Sequence, residues 1–154
     1  MSARFQKNLE KGIAAEDIVH GYLKMNNRWV QDCRAQKHDK KSGPKLEGTE
    51  GTLVLPDFIC YNKKPKESYA VDVKAKSAIY PIDGKNYFTV DNKFEQYKRV
   101  VELFGLDWLK IIFYYEGRMY LYRCDEYSLT KEFNNRYSIG KCYLFEFDRS
   151  KMIY

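Results

Sequence analysis

Apolar positions recur at helical spacing from residue 3 to residue 26. At about 100° per residue, Phe5, Leu9, Gly12, Glu16, Val19 and Leu23 fall on one narrow stripe, and Asn26-Asn27 ends the helix. Trp29 to Cys33 is a short strand candidate, and residues 34–52 read as a polar loop rich in Gly and Lys. Two strands are predicted next, over 53–61 (LVLPDFICY) and 68–76 (SYAVDVKAK), joined by the turn-like NKKPKE. Residues 77–90 give a loop and a short strand, with a turn at Asp83-Gly84. A second helix is predicted over 93–104, with Asn92 as N-cap, Glu95 three residues on as in a capping box, and Gly105 as its stop. KIIFYY and RMYLYR flank Glu116-Gly117 as a hairpin, and CYLFEF is a last strand. No internal repeat, low-complexity tract or interdomain linker interrupts this order. It predicts one α/β domain over 1–154, with a central mixed sheet flanked by helices.

Two places break the pattern with charge. Glu16 lies about 20° from the centre of the first helix's apolar stripe, while Asp17 points about 100° further round, toward solvent. A carboxylate on a buried face is costly unless something compensates it. A metal ion or a lysine partner would each do so, and so would partial exposure. The second place is the strand pair. A symmetric turn centred between Lys64 and Pro65 sets Asp57 opposite Asp72, with Cβ atoms about 5 Å apart. Two like charges so placed repel. A divalent cation between them reverses the sign of that effect, and without one, neutralising Asp72 is expected to raise stability. Lys74 shares the face of Asp72 by strand alternation. Pro56, just before Asp57, signals an edge position or a bulge that re-aims the aspartate; a solvated aspartate on an edge strand is the plainer alternative.

Composition narrows the class. Hydrophobic residues make up 44 % of 154, enough for a core, and no apolar run approaches the length of a membrane-spanning helix. The start, MSARFQKNLEKGI, lacks a signal-peptide core, so a cytoplasmic location is expected. Cys33, Cys60, Cys124 and Cys142 form no Cys-x-x-Cys pair and there are only two histidines, which argues against a zinc knuckle and for four buried, reduced thiols. The net charge of +6 favours a polyanionic partner such as nucleic acid. Its most concentrated stretch is the loop carrying Arg34, Lys37, Lys40, Lys41 and Lys45, which either grips DNA phosphates or is simply solvated. His38 lies in the same loop. His20, one turn after Glu16, reads as a packing histidine before it reads as a site residue.

Pro56-Asp57, 14 intervening residues, then Asp72-Val73-Lys74, with the helical Glu16 upstream, resembles the motif of the PD-(D/E)XK nucleases. Size and order of elements are most similar to the small Holliday-junction resolvases of that superfamily, over residues 10–115. The resemblance implies a restriction-endonuclease-like fold and a DNA endonuclease that uses Mg²⁺, or Mn²⁺ as a substitute. It implies that Asp57, Asp72 and the Val73 carbonyl hold the metal, with Glu16 direct or through water. Lys74 would orient or help deprotonate the attacking water. Position 72 is Asp where many members have Glu. The recombination-exonuclease branch carries Gln-x-x-x-Tyr on the following helix; here Tyr97 follows Gln96 directly and Val100 stands in the tyrosine's place, so that branch does not fit and Gln96 stays unassigned. The resolvases act as homodimers, and the aromatic strands KIIFYY and RMYLYR either offer apolar surface for such a contact or cover a monomer's core beneath the second helix. The alternatives are a catalytically silent nucleic-acid-binding protein that retains the fold, and a protein-interaction module.

Overall fold

The first stripe folds as its spacing predicts. Helix α1 (Ala3–Asn26) opens with the Ser2 hydroxyl accepting the Phe5 N–H at 3.2 Å and closes where Asn27 donates back to Leu23. Only its C-terminal half is covered. Ala15, Val19 and Leu23 are buried, whereas Phe5 and Leu9 remain 45 % and 41 % exposed. The computed structural model describes residues 2–34, 45–63, 65–134 and 139–154. The strands are β1 (Trp29–Asp32), β2 (Lys45–Gly48), β3 (Gly51–Val54), β4 (Phe58–Lys63), β5 (Lys66–Lys76), β6 (Tyr80–Ile82) and β7 (Lys85–Asp91). Helix α2 (Phe94–Phe104) precedes β8 (Trp108–Tyr115), β9 (Arg118–Arg123), β10 (Leu129–Asn134) and β11 (Ile139–Glu146).

The central sheet has the order β1-β4-β5-β8-β9 and is mixed: β5 and β8 run parallel and the other pairs antiparallel. The parallel pair needs a crossover, supplied by β6, β7 and α2. Alternation sorts β5 between two cores. Val71 and Val73 face α1, with Phe58, Cys60 and Ile112. Ala70 faces the other side, where Phe94 and Tyr97 of α2 meet Leu109, Ile111 and Phe113 of β8. Asp72 and Lys74 follow Ala70 on that second side.

The β4–β5 ladder keeps the expected register, pairing Phe58 with Val71 and Lys63 with Lys66. The strand predicted over 53–61 is nevertheless two strands. It breaks at Pro56-Asp57, where proline has no N–H for the ladder and the Asp57 carbonyl accepts the Cys33 N–H at 2.9 Å. The part before the break pairs with β2 as a separate hairpin inside the stretch expected to be loop. Its strands are short, and its turn needs Gly51 at φ 107, so no alternation announces it.

A second sheet, β10-β11-β7-β6, has no counterpart among the predicted pairings. Its inner face carries Phe88, Val90, Tyr143 and Phe145 onto β8 and β9. The Phe88 ring stacks on Phe113 at 4.5 Å and meets Tyr122 and Phe147 edge-on. Phe113, Tyr120 and Tyr122 are thereby buried at 0 %, 6 % and 2 % exposure. The aromatic strands expected to offer a dimer surface cover the protein's own core instead. The capping box does not form. The N-cap is Lys93, without a side-chain cap; the Glu95 N–H donates to the Asn92 backbone carbonyl at 3.2 Å, and the Glu95 carboxylate accepts from the Tyr143 hydroxyl. Gly105 ends α2 in the left-handed region at φ 66, as predicted. Cys33 and Cys60 are buried, Cys124 and Cys142 half-buried, and all four are free thiols. Among the described residues no helix is long and apolar enough to cross a membrane.

Because Phe88 joins the two sheets, Phe88→Ala should cost about 3–5 kcal/mol in urea unfolding. Leu103→Ala, at a position 64 % exposed, should cost under about 0.5 kcal/mol. Equal losses would show that the sheets do not depend on this contact.

Candidate functional site

The break at Pro56 delivers Asp57 to the end of the β4–β5 ladder. Its Oδ2 accepts the Val73 N–H at 2.7 Å, so the side chain replaces a backbone partner across the strand end. Asp72 is 2 % exposed, the one charged residue so deeply buried among the described residues. The Lys74 ammonium lies 3.1 Å from Asp72 Oδ2, yet that oxygen makes no well-formed hydrogen bond. Asp57, Asp72, Val73 and Lys74 are thus together, as the sequence predicts.

Their electrostatics follow from burial. The Asp57 carboxyl is pushed well above the usual carboxylate range, first by loss of water and then by the charges of Asp72 and Glu16; the Val73 N–H opposes this. Asp57 is partly exposed as a residue, but its carboxyl group is enclosed, and the enclosure governs its protonation. Lys74 is held above the ordinary lysine range by the Asp72 charge, which outweighs its own desolvation. It therefore stays an ammonium and a donor.

Glu16 approaches from α1, near enough for its charge to act on Asp57, but its closest described cation is Arg34, at 3.8 Å from Oε2. Arg34 is drawn inward. Its guanidinium grips Asp32 through Nε and Nη2 at 2.9 and 2.8 Å, donates to Asp17 at 2.9 Å, and lies 4.8 Å from the Phe58 ring centroid. With its side chain only 7 % exposed, it ties β1 to α1 and does not reach outward as the expected phosphate contact. His20 stacks on Phe58 at 5.0 Å beside this cluster, a packing role. Lys45 is exposed at the start of β2. Lys37, Lys40 and Lys41 lie outside the described residues.

Three neighbours complete the site that the sequence did not assign. Tyr97 is buried on the inner face of α2, its phenol raised by burial and by the charge of Asp72. The spacing Phe94, Tyr97, Val100 is the signal for that face. Asp91 ends β7, and its charge reaches Lys74. Lys76 continues the row of Asp72 and Lys74, its ammonium pushed down by burial and by Lys74. Gln96 is structural, accepting the Val54 N–H at 3.3 Å.

Hard oxygen donors suit Mg²⁺, which takes one or two carboxylates and keeps several waters. Asp57 and Asp72 fit that demand, and the unsatisfied Asp72 Oδ2 is a buried acceptor facing a cation already. Among the described residues no three His, Cys, Asp or Glu side chains stand at metal-ligand spacing. Asp57 and Asp72 are the two carboxylates that fit, and Glu16 lies 3.8 Å from Arg34.

An acid whose folded pKa is raised favours the fold when protonated, and that advantage is lost as pH rises from the unfolded value of about 3.9 through the folded one. In chelator, Asp57→Asn should therefore raise Tm at about pH 8, with the gain fading toward about pH 4, as a pH series of thermal melts would read. A gain independent of pH would place its cause elsewhere. Asp72→Asn should do the reverse of the sequence expectation. It strands the Lys74 ammonium and should lower stability by about 1–3 kcal/mol. Against family models, curated proteins and solved structures, the chain finds no match.

Proposed function

We propose that the chain is a metal-dependent DNA endonuclease of the PD-(D/E)XK type, with a restriction-endonuclease-like central sheet. The observation that carries this reading is the convergence of Asp57, bent out of its strand at Pro56, on the buried Asp72 and its Lys74 partner. A sheet does not bury one carboxylate in the field of a second without compensation. Asp57 and Asp72 would hold Mg²⁺ or Mn²⁺, which supplies a polarised phosphate and a more acidic bound water. Lys74, held beside Asp72, would orient the attacking water or a phosphate oxygen and stabilise charge that develops there. Glu16, whose charge acts on Asp57, would join directly or through water.

A second reading has its own support. With Glu16 tied to Arg34 and no three-residue ligand set among the described residues, a nucleic-acid-binding or protein-interaction module with a silent site keeps a claim. One incubation separates the two. Branched, linear and single-stranded DNA are each mixed with the protein in Mg²⁺, in Mn²⁺ or in chelator. Cleavage is expected only with metal, and Asp57→Asn and Lys74→Met should each lose at least about 10²-fold in rate. Binding without cleavage in both metals selects the silent module, and cleavage in excess chelator rejects the metal.

The basic loop supports DNA as the partner through charge. Neutralising Lys37, Lys40 and Lys41 together should weaken duplex binding and flatten the log–log salt slope by about 0.9 for each phosphate no longer neutralised. An unchanged slope assigns the loop to solvent. A homodimer on branched DNA follows from needing two sites to cut two strands. Sedimentation of an active species at the monomer mass of 18.4 kDa would refute it.

A further inference from the structure

On the face of the second sheet opposite Phe88 and Val90, Leu144 and Tyr87 are buried, while Tyr80 and Lys131 are exposed. Paired residues lie on one face of a sheet, as do residues two apart along a strand. Lys131 pairs with Cys142 and Cys142 with Asp91, so these three form one row across β10, β11 and β7. Thr89 shares the face of Asp91, and so does Tyr80 through its partner Tyr87. The alternate residues, such as Phe88 and Val90, fill the core on the other side.

This face is joined to the site. Lys76, next after Lys74 on the same side of β5, donates from Nζ to Thr89 Oγ1 at 3.3 Å. At the far end the Lys131 ammonium donates to the Tyr80 hydroxyl at 2.9 Å and lies 5.2 Å from the ring centroid. That contact runs diagonally over β11 and β7. Tyr80 is 43 % exposed, and Lys131 is exposed. Among the described residues neither ammonium has a carboxylate within salt-bridge distance. The acids on this face are Asp91, whose charge also acts on Lys74, and Glu146, which is paired with Lys85 at 3.8 Å.

We propose that this face seats an unpaired stretch of the DNA strand beside the site, with Lys76 and Lys131 on its phosphates and Tyr80 stacked on a base. The proposal rests on the nuclease reading for the identity of the polymer. Its own grounds are chemical. Both ammonium groups are held by hydroxyls rather than by carboxylates, which leaves their remaining N–H donors for a phosphate. An exposed ring steadied by a lysine stacks on a base, and a base offers its face only when unpaired. Duplex DNA satisfies the lysines but not Tyr80.

The test uses the full chain carrying Asp57→Asn, so that binding is measured without cutting. Fluorescence anisotropy with a labelled oligo-dT, and with a hairpin duplex, is followed over a salt series. Lys76→Gln and Lys131→Gln should each reduce the oligo-dT salt slope by about 0.7. Tyr80→Ala should weaken oligo-dT binding about tenfold or more and leave the duplex nearly unchanged, while Tyr80→Phe, which keeps the ring, should stay close to the parent. Unchanged slopes and affinity, or an equal loss on duplex and single strand for Tyr80→Ala, overturn the proposal. Wild-type cleavage with Mg²⁺ is scored separately. Cutting with unaffected variants rejects this strand path and leaves the nuclease reading in place. Binding losses without cutting keep the path and reject catalysis. No DNA binding at all rejects both.

Discussion

Asp72 sits in the interior of a sheet, 2 % exposed, and the polar side chains of the candidate site are arranged around it. A lone interior carboxylate is expensive enough that proteins neutralise, pair or metallate it. Here Lys74 pairs with it at 3.1 Å from two residues along the same strand. That one contact makes two side chains interdependent, because removing either leaves the other as a buried charge. It also acts on the charge state of its neighbours. Lys74 is held as a cation, and the negative charge of Asp72 helps push the Asp57 carboxyl toward its neutral form. A divalent cation would replace repulsion between the aspartates with shared coordination, so the strain of the metal-free arrangement and the proposed chemistry have one source.

Backbone geometry makes the second aspartate available. Had β4 continued through residue 57, the side chain would have faced Asp72 as an ordinary cross-strand neighbour. Proline at 56 ends the ladder, and the Val73 N–H captures Asp57 Oδ2 instead. On the α1 side Arg34 does for Glu16, Asp17 and Asp32 what Lys74 does for Asp72: one cation gathers three acids and ties β1 to the helix. The two clusters bracket the strand end. Glu16 is the residue with a claim on both, through its charge on Asp57 and its contact with Arg34.

The second sheet gives the site its other wall. Its inner aromatic face turns the C-terminal half of the chain into core, and this explains the high aromatic content without any partner. Its outer face brings Thr89 to Lys76 and carries Asp91 next to Lys74, so a row begun on β5 continues onto a different sheet. Side chains on one strand thus acquire neighbours far away in sequence.

What the sequence by itself determined was local. Helix α1, the turns at Asp83-Gly84 and Glu116-Gly117, the Gly105 stop and the β4–β5 register follow from periodicity, glycine at positive φ and turn symmetry. Proximity of Asp57, Asp72 and Lys74 follows from that register and from strand alternation, and so was legible before any fold. Tertiary structure decided what depends on distant partners. The stripe of α1 was continuous, yet packing covered only its second half, since nothing in the helix says where the sheet beneath it ends. Arg34 looked like part of a basic loop and became an interior ion-pair centre, because the acids that hold it come from two elements. The second sheet pairs β7 with β11, strands with α2 and three other strands between them, and no local pattern encodes such a pairing. Local periodicity fixes which face a residue occupies; only the packed fold fixes what that face meets.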